Sequence, residues 1–210
     1  YSSRDTSPLA VYVMHPFWNN AVKVFPMWLA PNVMTFVGWV LTVAIFVILY
    51  YYDPYIVAGG SRDDLHKHYY IPQWMWMWIA IAHFAAHTLD GCDGKQARRT
   101  KSSSPLGELF DHGIDSMAIW FISVCVFSVF GQGPLSVTIW EYHWIVLVTL
   151  TGFYVAHWEK YITGVLFLPW AYDMSQLLLL GVYLCAYFFG INFWKTPFYS
   201  DIYLSHVFKW

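Results

Sequence analysis

Residues 90 to 115 read DGCDGKQARRTKSSSPLGELFDHGID and hold four aspartates, Asp90, Asp93, Asp111 and Asp115. Asp90 and Asp93 are three residues apart, Asp111 and Asp115 four. On a helix these spacings leave each pair within about 60° of a common face. Two adjacent helices carrying such pairs gather four carboxylates in one place. Charges that close repel one another and hold protons unless cations intervene. An oxygen-only ligand set favours hard ions, Mg²⁺ or Mn²⁺, over zinc. Four carboxylates suffice for two such ions, with positions left open for phosphate oxygens. Lys95, Arg98, Arg99 and Lys101 add positive charge suited to phosphates. Gly91, Gly94 and Gly107 remove side chains where a bulky ligand or a neighbouring backbone must come close. The chemistry indicated is phosphoryl or pyrophosphate transfer.

The elements that position these residues are apolar. The chain has 210 residues, 58% hydrophobic, 21% aromatic and 11% charged. A soluble domain carries about 25% charged residues, so this chain uses lipid as much of its solvent. A net charge of −2 argues against a nucleic-acid partner. Cys92, Cys125 and Cys185 lie far apart and show neither zinc spacing nor a disulfide framework. The expected fold is all-α, a polytopic membrane helix bundle forming a single domain over residues 1–210. Spans of about 20 residues fall at 33–52, 71–89, 111–130, 139–158 and 174–194. Residues 8–30 are aromatic but broken by Pro16, Asn19, Asn20, Lys23 and Pro26, which predicts an interfacial helix on the headgroups rather than a span. With Arg4, Asp5 and Pro8 near its start, the N-terminus does not read as a signal peptide. Asn32 is placed to cap the first span. Residues 53–70 read as a loop, whose His66 and His68 are expected to be solvated. His83 and His87 share one helix face and are expected to meet a neighbouring helix rather than a metal.

Basic residues follow the second span, and none occurs in the loop GQGPLSVT after the third. The positive-inside rule therefore turns the 90–115 stretch toward the cytosol. Five alternating spans bring His157, Glu159 and Lys160 to the same membrane face. A cation transporter also places acids in its spans, but near the midplane in broken helices. These acids sit at span ends beside bases.

Asp90-Gly91-x-Asp93-Gly94-x-x-Ala97-Arg98, then Gly107, Asp111 and Asp115 at their spacings, resembles the signature of the CDP-alcohol phosphotransferase family without a gap. The segments APN (30–32), GKQARR (94–99) and SSPLGELFDHG (103–113) resemble its eukaryotic choline/ethanolamine phosphotransferase branch. HWEKY (157–161) and LFLPW (166–170) resemble the ethanolamine side of that branch. The resemblance implies CDP-ethanolamine and diacylglycerol as substrates, two Mg²⁺ or Mn²⁺ ions on Asp90, Asp93, Asp111 and Asp115, and Asp115 as general base. It implies CMP as leaving group, held by metal and Arg98, with Gly94, Lys95, Ala97 and Gly107 near the nucleotide and Asn32 at the mouth. A base among metal ligands is a weak one, so His157 or Glu159 is expected to assist it or replace it. A choline or dual-specificity enzyme, or a short form lacking catalysis, is the alternative. The resemblance also implies an endoplasmic reticulum or Golgi membrane, a homodimer contact and about twice as many spans, so the sequence reads as C-terminally incomplete beside its family.

Overall fold

The apolar runs become helices that lie side by side. The computed structural model describes residues 2–4, 6–58, 70–132, 137–167, 171–199 and 202–209. The long helices are α2 (Pro31–Tyr52), α3 (Gln73–Thr100), α4 (Pro105–Phe130), α5 (Ile139–Thr163) and α6 (Ala171–Phe189). Before them, a π-helical turn (Ala10–Met14), α1 (His15–Ala21) and a 3₁₀ turn (Val22–Val24) occupy the predicted interfacial segment. Tyr12, Val13, Val24 and Trp28 of this segment are exposed, as apolar side chains resting on headgroups would be. His66 and His68 lie outside the described residues.

Helix boundaries differ from the predicted spans in ways that matter for the site. The second span and the first aspartate pair form one unbroken helix, α3, which ends where Lys101 turns left-handed at φ 56°. The fourth helix begins at Pro105 rather than 111, because Ser104 caps it: its hydroxyl accepts from the Gly107 N–H at 3.0 Å. Asp111 and Asp115 therefore sit inside α4, not at its start. Asn32 is not the cap of α2; Ala30 is, with Pro31 in the first turn and Asn32 just inside it. The predicted fifth span breaks at Gly190, φ 77°, into a 3₁₀ turn, Ile191–Lys195. Among the described residues, three helices are long and apolar enough to cross a membrane: Pro31–Tyr52, Pro105–Phe130 and Tyr172–Phe189. α3 and α5 are as long, but many of their positions are Trp, Tyr and His, which lowers their hydropathy.

α2 packs along both α3 and α4, and α6 closes on α3. The core between them holds Ile45, Leu49, Trp76, Ile79, Phe127 and Tyr183. α5 lies against α4, with Val146 buried and Trp140, Trp144, Tyr154 and Trp158 exposed. Two short ribbons, which three-residue strands leave unreadable in sequence, complete the fold. β1 (Ser2–Arg4) pairs parallel with β2 (Val165–Phe167), and β3 (Pro197–Tyr199) antiparallel with β4 (Ile202–Tyr203).

α5 starts with a reciprocal cap. The Glu141 carboxylate accepts from the Thr138 N–H at 2.7 Å, and the Thr138 hydroxyl from the Glu141 N–H at 3.2 Å. Thr138→Ala is expected to cost about 1 kcal/mol, measured as loss of thermal stability in detergent.

Candidate active site

The turn Ser102–Ser104 leads from α3 into α4, α2 packs along both, and the two aspartate pairs converge. One oxygen each of Asp90, Asp93 and Asp111 lie within 4.8 Å of one another. Asp111, His112 and Asp115 form a second such group at the same limit, so Asp111 belongs to both. His112 was not among the expected residues; it adds a nitrogen to a set read as all oxygen.

Neighbouring helices hold the carboxylates in place. The Thr35 hydroxyl of α2 donates to Asp93 Oδ2 at 2.5 Å. The Tyr172 hydroxyl, from the first turn of α6, donates to Asp90 Oδ2 at 2.8 Å. Asp111 Oδ1 is buried with no hydrogen-bond partner among the described residues. Asp93 lies beyond the predicted span, and its burial, with Asp111 and Asp90 alongside, pushes its carboxyl well above the ordinary carboxylate range. Such carboxylates need a positive partner to stay ionised together. An orphaned buried oxygen within a mutually repelling set suits a hard cation, so the residues fit a divalent metal.

Beside Asp93 and Asp111 opens a hollow of about 310 Å³ between the starts of α2 and α4 and the end of α3. Asn32, Gly94, Ala97, Arg98 and Gly107 all line it, together with Ser102 to Ser104. Side chains on Gly107 would crowd this mouth: a Cβ there would stand 3.2 Å from Ser104 Oγ and 3.3 Å from Asn32 Oδ1. A smaller hollow of about 60 Å³ reaches Asp90 and Asp115, with Trp39, Ile114 and Ile122 in its wall beside Thr42, His87 and Tyr172.

Other expected residues sit differently. Lys95 does not line the hollow; its ammonium donates to Asn19 Oδ1 at 2.8 Å. Arg99 turns the same way, donating to the carbonyls of Val22 at 2.9 Å and Phe25 at 2.7 Å. Arg98 is thus the basic residue of α3 that the hollow receives. Glu159 is exposed on α5, and it is Lys160 that turns inward, paired with Glu108. The Lys160 ammonium also approaches His112 Nε2 at 3.5 Å. His112 Nδ1 in turn lies 3.5 Å from Asp115 Oδ2. His157 reaches this group through its ring, 4.5 Å from that of His112 between centroids, while its Nδ1–H donates to the Phe153 carbonyl at 2.8 Å. His83 and His87 both face α6, toward Gln176 and Asp173. Glu108, His112 and Tyr172 went unnoticed in sequence because their partners are distant in the chain, apart from the i, i+3 and i, i+4 spacing that places Glu108, His112 and Asp115 on one face.

Fold and site together define an integral-membrane helix bundle whose carboxylates, gathered from two helices, flank a polar hollow. Residues 28–200 match the CDP-alcohol phosphatidyltransferase family, and the chain belongs to it. It is 50% identical to the mouse ethanolaminephosphotransferase 1 and 48% to the human one, over 99% of this chain and 52% of each relative. It is 36% identical to choline/ethanolaminephosphotransferase 2 of Arabidopsis thaliana, over 100% of this chain and 49% of that protein. The chain therefore spans about half the length of the curated relatives it matches.

Tyr172→Phe removes the hydrogen bond that fixes Asp90 without changing shape. The expected result is a rise of about tenfold in the Mn²⁺ concentration needed for half-saturation, read from free Mn²⁺ by paramagnetic resonance. An unchanged titration would show that Asp90 is held by other means.

Proposed function

We propose that this chain carries the catalytic part of an ethanolaminephosphotransferase, which transfers phosphoethanolamine from CDP-ethanolamine to diacylglycerol and releases CMP. The observation that carries this reading is the junction of the carboxylate cluster with the hollow that Arg98, Gly94 and Gly107 line. The similarity to the mouse and human ethanolaminephosphotransferases supports the head group. The similarity to the plant relative supports a second reading, an enzyme accepting choline as well.

In this reading two Mg²⁺ or Mn²⁺ ions are held by Asp90, Asp93, Asp111 and Asp115. The chemistry they supply is neutralisation of the pyrophosphate and of the charge gathering on the departing CMP. The chain's own groups do the rest. Asn32, Arg98 and the small residues of the hollow seat the nucleotide. Arg98 offers a planar fork of donors to phosphate oxygens. The acceptor hydroxyl gives its proton to Asp115, with His112 beside it to share the charge. The acceptor oxygen then bonds to the β-phosphorus as the bond to the CMP oxygen breaks, and the electron pair leaves with CMP. Glu108 and Lys160 hold His112 from behind, and His157 packs on its ring. The assisting role expected of Glu159 passes to this group, since its side chain is exposed. The site is read as facing the cytosol from an endoplasmic reticulum or Golgi membrane, which the bases clustered at the end of α3 support.

The purified full chain, given diacylglycerol, is expected to release CMP from CDP-ethanolamine in Mg²⁺ or Mn²⁺ and to stop when chelator is added. Asp111→Asn is expected to lower the rate at least 100-fold. Competition by CDP-choline separates the two head-group readings: weak competition supports the ethanolamine enzyme, equal competition the dual one. CMP release that persists in chelator would defeat both.

A further inference from the structure

The helix that bears Asp90 and Asp93 has a second face, and that face is fully committed to the N-terminal segment. Gly91, Cys92, Lys95, Gln96 and Arg99 recur at helical spacing, roughly opposite Asp90, Asp93 and Ala97 around the axis. Lys95 and Arg99 bind Asn19, Val22 and Phe25 as described. Gln96 donates to the carbonyls of Pro26 at 2.9 Å and Leu29 at 3.1 Å. The Cys92 thiol points at the Trp18 carbonyl, 3.8 Å away. Gly91 lies directly beneath the Trp18 indole, so closely that a Cβ there would collide with the ring. Trp18 is buried with Met14, Val22, Met34 and Cys92 in a small core of its own.

We propose that the interfacial segment is a strap that sets the rotation of α3, with Trp18 on Gly91 as its positioning contact. A carboxylate at the outer radius of a helix moves by about 2 Å when the helix turns by about 20°. Metal–ligand distances tolerate only about 0.2 Å. The strap thus controls a variable on which the convergence of Asp90 and Asp93 with Asp111 depends. Gly91 clears space for an indole of this same chain, not for a substrate, and Lys95 and Arg99 bind the strap. The inference rests on reading the carboxylates as cation ligands, and its test needs no turnover.

The full chain in detergent is titrated with Mn²⁺ alone, and free ion is followed by paramagnetic resonance. Gly91→Ala is expected to raise the half-saturating concentration about tenfold, and adding Trp18→Leu to that variant to return it to within about threefold of the parent. Gly152→Ala, where a Cβ meets nothing within 4 Å, leaves the titration unchanged. A folded Gly91→Ala chain that binds like the parent overturns the strap, as does a double variant no better than Gly91→Ala. If Gly91→Ala does not fold, Trp18→Phe decides: a rise of about threefold with unaltered thermal unfolding supports the strap, and no rise overturns it. A parent chain that binds no Mn²⁺ overturns the cation reading and the strap with it, whereas binding without CMP release overturns only the transferase reading.

Discussion

Repulsion among carboxylates governs the arrangement of this bundle. Four like charges gathered from two helices, partly out of water, push apart and take up protons unless something opposes them. The fold opposes them mechanically. Thr35 of α2 and Tyr172 of α6 each donate to one aspartate oxygen, so helices on two sides hold the pair on α3. The Ser104 cap and the left-handed Lys101 fix the turn that leads into α4. Asp111 Oδ1 is left without a hydrogen-bond partner among the described residues, in a group of acids that could hold a cation.

The basic residues then divide by helical face. Arg98 shares a hollow with Asp93 and Asp111. Lys95 and Arg99, one residue or a turn away, bind carbonyl and amide oxygens of the N-terminal segment. A guanidinium in the hollow can offer its planar fork of donors to an anion. One on the far face satisfies backbone carbonyls that a broken, Pro-interrupted segment cannot satisfy itself. The same sequence run, GKQARR, therefore does two physically different jobs.

Sequence spacing was enough to bring Asp90, Asp93, Asp111 and Asp115 together, because i, i+3 and i, i+4 pairs need only a helix to share a face. The long helices were legible from apolar runs, and Gly107 and Arg98 from their place beside the acids. The charged stretch between runs concealed that α3 and α4 extend through it, since hydropathy marks lipid exposure and not where a helix ends. Lys95 was misplaced because charge alone does not reveal which face of α3 it takes, and that face is set by Asn19, 76 residues away in sequence. Gly91 read as room for a bulky ligand or a neighbouring backbone; only the fold shows an indole there. Lys160 rather than Glu159 turns inward because α5 meets α4 along one narrow line, and a single residue of rotation, about 100°, decides which side chain lies on it.

The location of the cluster follows from the same forces. At a midplane, four carboxylates would lack both water and counter-charge, and their ionisation would be most costly. Close to the ends of the apolar runs, they meet a hollow of about 310 Å³ at Asp93 and Asp111. At Asp90 and Asp115 the smaller hollow has a mixed wall, with Trp39, Ile114 and Ile122 beside Thr42, His87 and Tyr172. The four acids therefore stand where two hollows reach them, Asp93 and Asp111 at one and Asp90 and Asp115 at the other, inside helices that run on past the apolar stretches.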